Sequence, residues 1–105
     1  MEIKDLKRLA RYNPEKMAKI PVFQSERMLY DLYALLPGQA QKVHVHAGSD
    51  KVYYAREGEV VMRVGEEEAL LAPGMAAFAP AGAPHGVRNE SASPALLLVV
   101  TAPRP

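Results

Sequence analysis

Glycines recur at positions 38, 48, 58, 65, 74 and 82, seven to ten residues apart, and this spacing limits the fold more than any other feature. Between and after them lie short runs rich in Val, Leu, Tyr and Phe: 41–46, 51–56, 59–64, 67–72, 75–79, 85–89 and finally 95–102. Short strands at even spacing, punctuated by Gly and Pro turns, predict a sandwich or a barrel. Pro37-Gly38 and Pro73-Gly74 fit the central positions of a type II turn, where glycine supplies the positive φ. A further β-rich run, 27–36, ends at the first of these turns. Before Pro21 the pattern differs. Leu6, Leu9 and Ala10 recur at helical spacing, and Asn13-Pro14-Glu15-Lys16 reads as an N-cap with Pro at the first helical position. The expectation is an all-β chain with a helical lead over 1–20 and a barrel over 21–105, together one domain of 105 residues.

Composition removes several classes of function. Net charge is +1, and the cluster Lys4, Lys7, Arg8 and Arg11 is diluted by Glu2, Asp5 and Glu15. That pattern is a solvated helix face, so no nucleic-acid partner is expected. There is no cysteine, which excludes disulfides and thiolate chemistry. The first residues lack an apolar signal core, and no apolar run approaches the roughly 18 residues of a membrane span. A cytoplasmic protein without a membrane partner is the expectation.

The three histidines carry the chemistry. His44 and His46 sit one residue apart in a strand-like run, so their side chains leave the same face. Two orientations are open at this point: both imidazoles inside a barrel, or Val43 and Val45 inside and the histidines in water. The third histidine lies in 74-GMAAFAPAGAPHGVRN-89. Gly74, Pro80, Gly82, His85 and Asn89 have the spacings of the second motif of the cupin superfamily. Gly38, His44, His46 and Gly58 follow its first motif. The chain is therefore identified as a small single-domain cupin. The resemblance implies an antiparallel double-stranded β-helix, or jelly-roll barrel. It also implies one divalent transition-metal ion (Fe, Mn, Co, Ni, Cu or Zn) on His44, His46 and His85 together with an acidic residue of the first motif. Such ligands suit these metals and leave positions open for a substrate oxygen or water.

At the acidic position the sequence departs from the family. Counting forward from His46 reaches Asp50, counting back from Gly58 reaches Lys51, and neither is the usual glutamate. A one-residue slip in a strand exchanges its faces, so the two registers differ in consequence. Asp50 is the expected fourth ligand, because burying Lys51 is costly and a lysine at a strand end can reach outward. Lys51 facing inward is the alternative. It would repel a metal, or lose its proton and act as a base.

With the histidines inward, Met28, Tyr30, Leu32 and Ala34 form the expected inward set of the preceding strand, because the other set would bury Asp31. Tyr53 or Tyr54, Met62, Met75 and Phe78 are expected to line the pocket, and Arg88 is placed to meet a substrate carboxylate. These readings give a substrate-binding set of Tyr30, Tyr53, Met62, Phe78 and Arg88. No second carboxylate is placed for acid–base work, and Ser49 has no partner that marks a nucleophile. The expected function is a mononuclear metal-binding cupin that binds or transforms a small organic molecule. As an enzyme it would be a metal-dependent dioxygenase, isomerase, decarboxylase or cyclase. Its size and layout resemble accessory proteins of polyketide or antibiotic biosynthesis. Alternatives are a non-catalytic small-molecule binding or sensing module, and a barrel that metal merely stabilises. A homodimer is expected, formed through the helical lead and an apolar edge strand at 95–100.

Overall fold

A computed structural model describes residues 1–105, in one short helix and nine strands. Helix α1 (Leu6–Leu9) precedes β1 (Ala18–Gln24), β2 (Leu29–Leu35), β3 (Ala40–His44), β4 (Asp50–Glu57), β5 (Val60–Val64), β6 (Glu67–Leu71), β7 (Ala76–Ala79), β8 (His85–Arg88) and β9 (Ala95–Ala102). All strand pairs are antiparallel. They build a five-stranded sheet, β1-β2-β9-β4-β7, and a four-stranded sheet, β3-β8-β5-β6. This is the double-stranded β-helix expected from the sequence, and the Gly and Pro turns separate its strands. No helix is long and apolar enough to cross a membrane.

The principal core lies between the sheets. It joins Tyr33 and Leu35 of β2, Tyr53 and Ala55 of β4, Val60 and Met62 of β5, Val87 of β8 and Leu97 and Val99 of β9, with Leu71 and Ala95. A second layer covers the outer face of the five-stranded sheet. Leu32, Ala34, Leu96, Ile20 and Val22 are buried there beneath Leu6, Leu9 and Ala10 of the lead. Strand β2 is thus buried on both faces, and Leu32, Tyr33, Ala34 and Leu35 are consecutive and wholly inaccessible. A strand covered on both sides is apolar throughout rather than alternating.

The structure corrects three expectations. The inward residues of β2 are Asp31, Tyr33 and Leu35, opposite Val99, Leu97 and Ala95 of β9. The opposite set, with Tyr30, Leu32 and Ala34, faces the lead, so the inward set is the one that does bury Asp31. The run 95–100 is not an exposed edge: β9 lies between β2 and β4. In the lead, no helix forms after Asn13; its side-chain oxygen accepts a hydrogen bond from the Glu15 N–H in a local turn. The chain then joins the sheet at Ala18, opposite Ala34, and pairing with β2 overrides the helix signal.

Asn89, the last residue of the second motif, acts as a structural clamp. Its amide nitrogen donates to the carbonyls of Leu35 and Ser93, and its oxygen accepts from the backbone and hydroxyl of Ser91. The side chain is buried, so the groups it satisfies have no ready access to water. Asn89→Ala is expected to cost about 2 kcal/mol, which lowers Tm by roughly 10 °C in a domain of this size. Differential scanning calorimetry checks this, and an unchanged Tm would remove Asn89 from the clamp.

Candidate metal centre

A bulge in β3 sets the orientation of the histidines. Gln41 pairs with Val87 of β8 and His44 with His85, so three steps along β3 match two along β8. Gln41 points inward, where its amide bridges Tyr33 and Tyr53. Unbroken alternation from Gln41 would put Val43 and Val45 inside. The extra residue reverses the faces: Val43 and Val45 are exposed, and His44 and His46 turn inward. Gly86 makes room for the kinked strand. A Cβ there would lie 2.9 Å from the Gln41 carbonyl oxygen and 3.0 Å from Val43 Cα, both backbone atoms that cannot swing away. Sequence reasoning misses Gly86; only its place beside His85 hints at it.

The imidazoles converge with their donor atoms prepared. His44 pairs edge-on with His46 and His85 at centroid distances of 4.8 and 4.3 Å. His44 Nδ1 lies 2.8 Å from the Lys42 carbonyl, within the bulge, and His85 Nδ1 lies 2.9 Å from the Ala83 carbonyl. A carbonyl only accepts, so both Nδ1 atoms carry hydrogen, and in the neutral rings Nε2 keeps a free lone pair. His85 Nε2 is buried without a hydrogen-bond partner. Burial lowers the pKa of His46 and His85, and the nearby cations of Lys51 and Lys19 and the His44 imidazole add to the effect at His46. At His85 the Ala83 hydrogen bond opposes the shift, while His44, Lys51 and His46 reinforce it. Both rings are therefore neutral at pH 7, the form that ligates metal.

These residues fit a transition-metal ion. Their donor atoms lie within 4.8 Å of one another. A tetrahedral ion with bonds of about 2.0–2.1 Å needs donors roughly 3.4 Å apart, and small rotations of the imidazoles suffice to close that gap. Three imidazole nitrogen donors suit Zn, Cu, Fe or Ni.

The acidic position resolves in favour of the alternative. Asp50 is exposed, and its carboxylate accepts the Ala81 backbone N–H at 2.8 Å, closing the loop before β8. It is outside the histidine cluster. Lys51 is the inward residue, 3% exposed, on the same face of β4 as Tyr53 and Ala55. Its Nζ lies 5.5 Å from the Tyr33 ring centroid and 5.4 Å from that of Tyr53, within cation–π range. Burial, aided by Lys19 and opposed by Asp31, lowers its pKa to about 8, so it remains protonated at neutral pH.

Of the expected pocket residues, Tyr53 lies beside the histidines, its ring 6.2 Å from that of His85. Its hydroxyl donates to Gln41 Oε1 at 2.7 Å, and Gln41 Nε2 donates to the Tyr33 hydroxyl at 3.2 Å. Burial pushes the Tyr33 hydroxyl up to about 12, so it stays protonated. Met62 belongs to the inter-sheet core. Tyr30 packs against Phe23 on the outer face of β2, and Phe78 points outward from β7, 57% exposed. Arg88 points away from the interior as well. It holds Glu68 through both terminal nitrogens, at 2.6 and 3.0 Å, and Glu90 through Nε at 2.8 Å. Tyr30, Phe78 and Arg88 are thus removed from the site. Alternation explains each: on β8, for example, His85 and Val87 occupy the inner face.

Residues 31–101 match the cupin domain, and the chain belongs to that family. It is 38% identical over 69 residues to the tetracenomycin polyketide synthase protein TcmJ of Streptomyces glaucescens. The match covers 66% of this chain and 46% of TcmJ, so the chain spans less than half the length of that relative. The crystal structure of TT1209 from Thermus thermophilus is 97% identical, with a TM-score of 0.98 over the whole of both chains. An RmlC-like cupin protein from Desulfovibrio desulfuricans is 26% identical with a TM-score of 0.86, over 98% of this chain and 97% of the other.

The charge at position 51 opposes cation binding, and its reversal supplies a carboxylate instead. Lys51→Glu is expected to tighten Zn(II) binding by about 10- to 100-fold, measured by competition with a chromophoric chelator. Unchanged affinity would mean that the side chain at 51 does not act on the histidine site.

Proposed function

We propose that this protein is a mononuclear metal-binding cupin that holds one divalent transition-metal ion on His44, His46 and His85 and binds or transforms a small organic molecule beside it. The observation that carries this reading is the buried, unpartnered Nε2 of His85, whose ring is fixed from behind by the Ala83 carbonyl. A buried acceptor left unpaired is costly, and a metal ion satisfies it. When bound, such an ion would polarise a substrate oxygen or lower the pKa of water. The chain's own contribution is to fix the tautomers of His44 and His85, line the site with Tyr53, and keep Lys51 charged nearby. The likeness to the tetracenomycin protein supports a place among accessory proteins of polyketide-type biosynthesis. Metal content by mass spectrometry, on protein purified without an affinity tag, is expected to be near-stoichiometric and to be lost in His85→Ala while far-UV circular dichroism is retained. No metal, and no uptake when Zn(II), Fe(II), Mn(II), Ni(II) and Cu(II) are offered, would refute the reading.

We further propose that two chains associate through the free edges β6 and β7. These strands end their sheets, and a groove of about 350 Å³ between them is lined by Met62, Leu70, Met75 and Phe78. Leu70, Met75 and Phe78 are each at least half exposed, and an apolar patch beside two unpaired edges suits a self-complementary contact. Light scattering after size exclusion is expected to give twice the chain mass of 11.5 kDa, falling to one chain in Phe78→Glu. A monomeric wild type would rule the interface out.

A further inference from the structure

We propose that Lys51 anchors the carboxylate of a small organic acid, which binds between its ammonium group and the imidazoles of His44, His46 and His85. The inference rests on the reading of the barrel interior as a small-molecule site and names the chemical class of its ligand. Lys51 is only 3% exposed, yet no carboxylate lies within 4.0 Å of its Nζ and no protein atom accepts a hydrogen bond from it. What surrounds it are the faces of Tyr33 and Tyr53, which stabilise a cation without neutralising it. Its three N–H donors are thus available, and Nζ is not fully enclosed, because His85 Nε2 is the one fully enclosed polar side-chain atom left unpaired.

Charge balance leads to the same ligand. Lys51 is the buried cation here, and the exposed Lys19 adds a second one nearby, its Nζ 5.8 Å from the centroid of the same Tyr33 ring. The carboxylate that acts on both is Asp31, 2% exposed, and neither lysine is close enough to form an ion pair with it. The buried Lys51 ammonium therefore has no ion-pair partner, and a metal ion would add to its positive charge. A neutral or cationic ligand leaves that charge unpaired in a desolvated site; an organic anion neutralises it. Tyr33 adds a second donor. Its hydroxyl accepts from Gln41, so its own hydrogen is uncommitted.

The test compares lactate with lactamide, which share a shape and differ in charge. Each is titrated by NMR into metal-stripped and Zn(II)-loaded protein in low-chloride buffer, for the wild type, Lys51→Met and Lys51→Arg. Wild type is expected to bind lactate at least tenfold more tightly than lactamide, in the metal-stripped form as well as the loaded one. Lys51→Met should abolish the preference in the metal-stripped form, and Lys51→Arg should retain part of it. Replacing a buried charge by an apolar chain of similar length is compatible with folding, and Tm verifies it. Equal affinities for the two probes, no binding of lactate, or a preference that survives in metal-stripped Lys51→Met overturns the proposal. Failure of the metal reading is separate: a protein that takes up no Zn(II) but keeps the Lys51-dependent preference loses its metal and keeps its anion anchor.

Discussion

One extra residue in β3, between Gln41 and His44, fixes which side of the barrel the histidines occupy. Strand side chains alternate, so everything beyond an inserted residue changes face. Here the change is complete: Gln41 inside, Val43 and Val45 in solvent, His44 and His46 inside. The bulge also supplies the Lys42 carbonyl that holds His44 Nδ1, and it fits against β8 because residue 86 has no side chain. Orientation, tautomer and proximity to His85 all depend on this local irregularity.

The electrostatics of the interior follow from the next strand. In the cupin pattern the inward position at the start of β4 belongs to a carboxylate, which would offset a bound cation. In this chain it belongs to Lys51, held between two tyrosine rings, while Asp50 is used to close the loop at Ala81. The result is a set of three imidazole nitrogen donors beside a positive wall. Such a site would hold a metal ion less tightly than a three-histidine, one-carboxylate site, and its positive wall would favour an anion.

Much of the fold is legible in the sequence because turn chemistry is local. Glycines in the left-handed region at 38, 58, 65, 74 and 82 require little from the rest of the chain, and they separate strands close to the expected ranges. The conjunction of His44, His46 and His85 is legible for a similar reason, since the two motifs carry fixed spacings. What misleads is inference about faces. Asp31 looks too costly to bury, but β2 is covered on both sides and has no solvent face to offer it. Phe78 is expected at the pocket and Arg88 at a substrate carboxylate, whereas alternation sends both outward.

By itself the sequence determined an all-β barrel with short strands and three histidines brought toward one place. Backbone conformational preferences and residue spacing act within a few positions of the chain, so these features needed no knowledge of distant contacts. Tertiary structure decided the rest: which of Asp50 and Lys51 faces the histidines, which side of β2 lines the core, and whether His44 points inward. Each is a choice between two faces of a strand, and a one-residue shift in pairing reverses it. Pairing across the sheets makes that choice, through the register of β3 on β8 and of β4 on β9.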